Sequence, residues 1–290
     1  MRSMRHWLIT TAHLENRLLF KDFEDFIVGM NYLAVLSFKY GIIVLAFILM
    51  SNHVHLVAMG RRDDIETFVT MWKSLYSKYL AAKYGVRDFL RRLEVDIRPV
   101  PEESEALERA VAYVQMNCVA ANICTSPYEY PWGTGSTFFK VKEEKGMRLG
   151  DFSARARYKL LHCKTDVPSD WKVSEEGYVL PSSYVDVDRV ERLFRTPKRM
   201  NYFLQSSSKA KQRIETIEKG LPAFRDQVIS AALPDLCRSL FGKVSVKELS
   251  ENQLVELLRH LRFRFASNVN QIARVVGLTY ARAAAYLDQV

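Results

Sequence analysis

Ile42 to Met59, IIVLAFILMSNHVHLVAM, contains the longest apolar run in the chain. A run of that kind must be buried. It is also too short to cross a bilayer as a helix, which needs about 20 residues. It reads as one long buried strand that carries His53-Val54-His55. Successive side chains of a strand point to opposite faces, so His53 and His55 share a face and Val54 points away. Their Cα atoms stand about 7 Å apart on a rigid element, a spacing at which two imidazoles can bind one divalent metal. The blander alternative is a pair of ordinary strand histidines bonded to neighbouring backbone.

The flanking segments alternate in type. Arg5 to Thr11 is aromatic and β-branched and predicts a first strand. A helix is expected from about Lys21 to Tyr40, with Phe23, Phe26, Ile27, Met30, Leu33 and Leu36 at helical spacing and Gly41 closing it. After the polar turn Gly60 to Asp64, a second helix is expected over Ile65 to Tyr84, ended by Gly85. Val95 to Val100 predicts a strand, and Ser104 to Asn122 a third helix. Strand, helix, strand, helix, strand, helix describes an α+β domain with helices packed on an antiparallel sheet. That domain is expected to occupy residues 1–145. An all-α DNA-binding or accessory region would follow over 146–290.

The chain has 290 residues, of which 48% are hydrophobic, and a formal net charge of +9. A basic balance suits a polyanionic partner, nucleic acid before an acidic membrane surface. Cys118, Cys124, Cys163 and Cys237 form no CxxC pair, which argues against a zinc knuckle and for a reduced, cytoplasmic setting. The N-terminal segment lacks a signal-type apolar core, so a soluble protein is the expectation.

The third helix carries a candidate nucleophile. Tyr113 and Asn117 are four residues apart and share a helical face. A tyrosine can attack a phosphodiester, but with an ordinary pKa of about 10 it is a weak nucleophile. A metal on the scissile phosphate compensates. An amide oxygen one turn away can serve as a further ligand. The alternative is a packing tyrosine beside a polar neighbour.

Three segments in order carry a resemblance. Met50-Ser51-Asn52-His53-Val54-His55-Leu56-Val57 resembles the His-hydrophobic-His (HUH) strand of the REP-associated tyrosine transposases, single-strand DNA transposases of the one-tyrosine class. YVQMNCVAA, Tyr113 to Ala121, is similar to their tyrosine helix. YEYPWGT, Tyr128 to Thr134, is similar to the segment that follows it. The resemblance runs from about Arg5 to Phe139. It implies an HUH/ferredoxin-like catalytic domain, metal binding by His53 and His55, and attack by Tyr113 that leaves a 5′-phosphotyrosine and a 3′ hydroxyl. It places Asn117 at a position that binds the metal in some relatives. The implied ion is Mg²⁺ or Mn²⁺; two imidazoles favour Mn²⁺ by softness, and abundance favours Mg²⁺. The implied partner is single-stranded or hairpin DNA, with no membrane, and the protein acts as a monomer or homodimer. The chain departs from the family at Phe89 to Val100, FLRRLEVDIRPV, which lacks the usual Trp and Gln, and at Cys118, where the family has proline.

Lys73, Lys78 and Lys83 interleave with Tyr76, Tyr79 and Tyr84, and Arg87, Arg91, Arg92 and Arg98 follow. Cations that track phosphates beside rings that stack on bases suit single-stranded DNA. Lys73, Lys78, Arg87, Arg91 and Arg92 are accordingly expected to bind DNA. In the second half, helices are expected at Asp188 to Phe194, Lys209 to Lys219, Asp226 to Gly242 and Ser245 to Phe265. Asn268 to Gly277 followed by Leu278 to Leu287 reads as a helix-turn-helix, with Gly277 at the turn, Thr279 as cap, and Tyr280 and Arg282 facing a groove. Two rival functions follow: a catalytically inactive, domesticated DNA-binding regulator, and an HUH replication or mobilisation nuclease, a class that usually adds a third histidine; none is evident near His53, and of the nearest others, His6 and His13, only His13 could approach from the end of the first strand.

Overall fold

The computed structural model describes residues 4–11, 18–86, 90, 93–102, 105–121, 123–141, 144–210, 224, 226–265 and 267–288. A four-stranded antiparallel sheet in the order β2-β3-β1-β4 forms its centre. The strands are β1 (Arg5–Thr11), β2 (Ile43–Met50), β3 (His53–Gly60) and β4 (Val95–Pro99). Helix α1 (Phe23–Lys39) links β1 to β2, and α2 (Arg62–Tyr84) links β3 to β4. The tyrosine segment is α3 (Ala106–Gln115) and a single further turn, α4 (Asn117–Ala120).

The stretch expected to be one strand is a hairpin. Ser51 and Asn52 turn the chain, and Met50 pairs with His53. Two polar turn formers between apolar runs are the signal for such a reversal. The turn is pinned from outside, because the backbone N–H groups of Leu19 and Phe20 both donate to the carbonyl of Ser51. The order is therefore strand, helix, two strands, helix, strand, helix.

Both faces of the sheet are covered. Gly29 of α1 lies against Leu49, which shares a face with Val54, so α1 packs on the side away from the histidines. Helix α2 lies beside α1, with Trp72 Nε1 donating to Gly29 O. The opposite face, with His53 and His55, receives α3. The edge strand β2 is covered by the segment after α4: Leu49 N–H donates to Trp132 O, Thr134 N–H donates to Phe47 O, and Tyr130 Oη donates to Leu49 O. Backbone pairing of that kind blunts an exposed edge.

Beyond the sheet come β5 (Met147–Arg148), α5 (Ala154–Leu161) and β6 (Lys172–Val173), then α6 (Val187–Phe194) and α7 (Pro197–Ser206). Leu149, Leu161, Trp171, Val173 and Val179 form a small core with Ala34 and Val35 of α1. Val190, Phe194, Met200, Phe203 and Leu204 join the core of the sheet, so that core draws on chain well past residue 145. Helices α8 (Asp226–Phe241), α9 (Glu251–Arg264), α10 (Val269–Val276) and α11 (Tyr280–Leu287) enclose a further core that also takes in Leu18. Ser250 caps α9 through a reciprocal capping box with Gln253. The helix expected at Lys209 to Lys219 falls mostly outside the described residues, as do Ser104 and Asn122 at the expected ends of the third helix. No helix among the described residues is long and apolar enough to cross a membrane.

Candidate active site

Two elements meet at the site. Strand β3 presents His53 and His55 on one face, both buried. Their rings stand edge to face with centroids 4.8 Å apart. Nδ1 of His53 donates to Asn52 Oδ1 at 2.8 Å, since that oxygen can only accept. Nδ1 of His55 lies 2.9 Å from Thr10 Oγ1, on the residue that pairs with it across β1. With Nδ1 of His53 donating, its Nε2 carries the lone pair, and His55 presents the same atom in the tautomer whose Nδ1 donates to Thr10. Oxygen partners on the distal nitrogen are the usual way a ligating imidazole is oriented. The donor set, two imidazoles on one rigid strand, fits a divalent ion of the Mg²⁺ or Mn²⁺ class only with oxygen ligands added. Among the described residues, no group of three or more His, Cys, Asp or Glu forms a metal cluster. His13 lies outside them. His6 is described, but its pairing with Met59 places it at the far end of the strand.

Helix α3 delivers Tyr113 to this face. The phenol ring is edge-on to His55, with centroids 5.4 Å apart and an interplanar angle of 87°. Met116 interrupts the helix between Tyr113 and Asn117. Asn117 bridges the break: its Nδ2 donates to the carbonyls of Tyr113 at 2.8 Å and Val114 at 3.2 Å. The Tyr113 carbonyl is thereby satisfied, and the Val114 carbonyl, which also accepts the Met116 N–H, gains a second donor. The amide nitrogen of Asn117 is thus committed to the tyrosine's own turn, and Oδ1 is the atom it has for a ligand.

Charge around the phenol comes from two residues that sequence reasoning had not placed there. Burial raises the Tyr113 pKa, and Arg98 pulls it back down. Arg98 stands opposite Leu8, which stands opposite Val57, so its side chain shares the face of the histidines. Lys209, just past α7, holds its Nζ 5.0 Å from the centroid of the Tyr113 ring, and burial lowers its pKa. The strand alternation of β4 was a usable signal for Arg98. Nothing local marked Lys209, since its placement depends on α7 packing against α3.

The expected DNA-binding residues are scattered. Lys73 Nζ reaches Leu93 O at 2.5 Å, and Lys78 is exposed; both line a groove of about 820 Å³ between α2 and β4, on the side of the sheet away from the histidines. Arg87, Arg91 and Arg92 lie outside the described residues. The rings read as stacking platforms are taken up inside the protein. Tyr76 is fully buried, and Tyr79 and Tyr84 donate to Asp25 and to Asp22 and Asp25 respectively. Lys83 bridges Asp22, Glu24 and Asp25. Three apolar-bodied side chains on one helix face were needed to cover α1, and the carboxylates at the start of α1 gave their polar ends partners. Phe23, the first of the apolar positions at helical spacing, is exposed.

In the C-terminal pair, Gly277 adopts φ +77, the left-handed turn that glycine tolerates, and Thr279 caps α11. Tyr280 is exposed, whereas Arg282 Nε donates to Tyr286 Oη.

Compared with solved structures, the chain is similar to a REP-associated tyrosine transposase bound to a REP hairpin, at 10% identity and a TM-score of 0.39 over 59% of this chain and 93% of that one. No family model matches the sequence, and no curated protein matches it at a significant level.

Proposed function

We propose that the chain is a metal-dependent transposase of the HUH, one-tyrosine type, which nicks and rejoins single-stranded or hairpin DNA. The observation that supports this reading best is the meeting of Tyr113, from a helix, with the ring of His55, from the central sheet. His53 and His55 would hold Mg²⁺ or Mn²⁺ through Nε2, and Asn117 Oδ1 is the proposed third protein ligand. An ion held there would polarise the scissile phosphate and neutralise charge that develops on it.

The chain's own residues do the rest. Asn52 and Thr10 orient the imidazoles. Asn117 holds the Tyr113 turn. Arg98 and Lys209 supply positive charge beside the phenol. The phenol oxygen forms a bond to phosphorus as the bond to the 3′ oxygen breaks, leaving a 5′-phosphotyrosine and a 3′ hydroxyl. Rejoining reverses this exchange of one phosphodiester for another, so no external energy source enters.

The test is incubation of labelled single-stranded DNA with the protein, with and without Mn²⁺, scored for a covalent adduct. The wild type should give a Mn²⁺-dependent adduct, and Tyr113→Phe should give none while still binding DNA. An adduct formed by Tyr113→Phe would end the assignment.

A second reading, a DNA-binding regulator without catalysis, draws on the α10–α11 pair with its left-handed Gly277 and Thr279 cap. It expects sequence-specific duplex binding that Tyr280→Ala weakens, and no adduct in any metal.

A further inference from the structure

Helix α9 has two unlike faces. Leu257, Leu258, Leu261 and Phe265 are buried in the C-terminal core. The opposite stripe, which includes Arg259, Phe263 and Arg264, lines a cleft of about 470 Å³ against Phe23 and Trp132 of the sheet unit. That volume lies within the range of sites that enclose a small organic ligand, roughly 300–1,000 Å³.

Its chemistry is specific. Phe23, at the start of α1, and Phe263, near the end of α9, are both largely exposed, at 65% and 61%, and both line this cleft. Two large exposed rings facing one space suit a flat apolar occupant. Trp132 is held rigid by stacking on Phe26 at 4.9 Å. Nε of Arg259 and Nη1 of Arg264 are buried and have no hydrogen-bond partner among the described residues. These two nitrogens are themselves closed to solvent, but both arginines line the cleft and bring their positive charge to it. Burial and Arg264 push the His260 pKa down to about 4, so at neutral pH that ring is uncharged; the cleft's cations are Arg259 and Arg264, the latter also in the field of Asp22 and Asp25. Glu129 and Glu256 are its carboxylates. Glu129 accepts from the Thr125 N–H and hydroxyl, and Glu256 lies on the exposed side of α9, where it can accept from an exocyclic amine. Ser51, in the hairpin turn two residues before His53, also lines the cleft, so it adjoins the histidine strand.

We propose that this cleft binds one unstacked nucleobase together with its phosphate, from a DNA strand passing to the histidine face. The ring faces of Phe23 and Phe263 take the base, and Arg259 and Arg264 take the phosphate. The identity of the strand rests on the function proposed above; the cleft's chemistry does not. Base stacking on aromatic side chains is sequence-tolerant and accounts for much of single-strand affinity.

The test uses the full chain. Calorimetric titration with deoxyadenosine 5′-monophosphate should show binding, and 2-deoxyribose 5-phosphate should bind at least fivefold more weakly. Phe263→Ala and Phe23→Ala remove exposed rings and leave the cores intact. Each should weaken the nucleotide by about 5- to 100-fold, the range that stacking on one ring gives. Equal affinity for the base-free phosphate, or unchanged nucleotide binding in both variants, would overturn the proposal. Covalent adducts on single-stranded DNA are scored in parallel. Ring-dependent nucleotide binding with no wild-type adduct sinks the nicking reading and leaves the cleft standing. Adducts with no ring-dependent nucleotide binding do the reverse.

Discussion

Nδ1 of His53 donates to Oδ1 of Asn52, its immediate neighbour, at 2.8 Å. The bond fixes the tautomer in which Nε2 carries the lone pair. Removing such an orienting partner typically costs about 10- to 100-fold in metal affinity. Asn52→Ala should therefore weaken Mn²⁺ binding by that order in a calorimetric titration, and DNA binding without metal should be unchanged. Asn52→Asp should retain most of the affinity, because a carboxylate accepts the same proton.

Lys209 packs its ammonium over the Tyr113 ring. A cation over an aromatic face contributes on the order of 1–2 kcal/mol when partly desolvated. Lys209→Met should slow covalent adduct formation about tenfold, and Lys209→Arg should restore most of the rate. Equal rates for all three proteins would remove Lys209 from the site.

Asn117 serves the backbone of the tyrosine's own turn. Asn117→Ala removes the side-chain donor to the Tyr113 carbonyl, at a cost of about 1–3 kcal/mol. Urea unfolding should show that loss. Asn117→Asp removes the same donor and keeps an oxygen. If Oδ1 ligates the metal, Asn117→Asp should bind Mn²⁺ better than Asn117→Ala although both lose stability. Equal metal affinity in the two variants would confine Asn117 to positioning Tyr113.

The acidic start of α1 predicts a pH response. Burial pushes the Asp22 carboxyl up, but Lys83 Nζ, the Asp25 N–H and Tyr84 Oη all donate to it and hold its pKa below the ordinary value. A folded pKa depressed below the unfolded value gives stability that is present above about pH 4 and is lost as pH falls through the folded value. The difference in urea midpoint between wild type and Asp22→Asn should be full at pH 7 and shrink at pH 3. A difference independent of pH would show that the carboxylate's charge contributes nothing.

Tyr130 is buried and donates to Leu49 O on the edge strand. Tyr130→Phe leaves that carbonyl without its phenol and should cost about 1–3 kcal/mol in urea unfolding. Its position within the cover of β2 gives the Tyr128 to Thr134 segment a structural role, separate from any contact with DNA.

The residues whose placement depends only on local pattern were legible from the sequence. Alternation put His53 and His55 on one face whether the stretch was one strand or a hairpin, because a reversal after Met50 leaves the spacing of 53 and 55 untouched. Gly85, Ser250, Gly277 and Thr279 ended or began helices where their backbone and side-chain chemistry required. An α+β unit followed by helices was likewise present in the order of periodicities. What local pattern could not decide was which surface each face met. Tyr76, Tyr79 and Tyr84 have the composition of a stacking platform, and only the packing of α2 on α1 turned them inward onto Asp22 and Asp25. Lys209 reaches Tyr113 only because α7 packs on α3. Neighbours far apart in sequence are selected by burial of apolar area, a sum over the whole chain, whereas caps and alternation are set by a few adjacent residues.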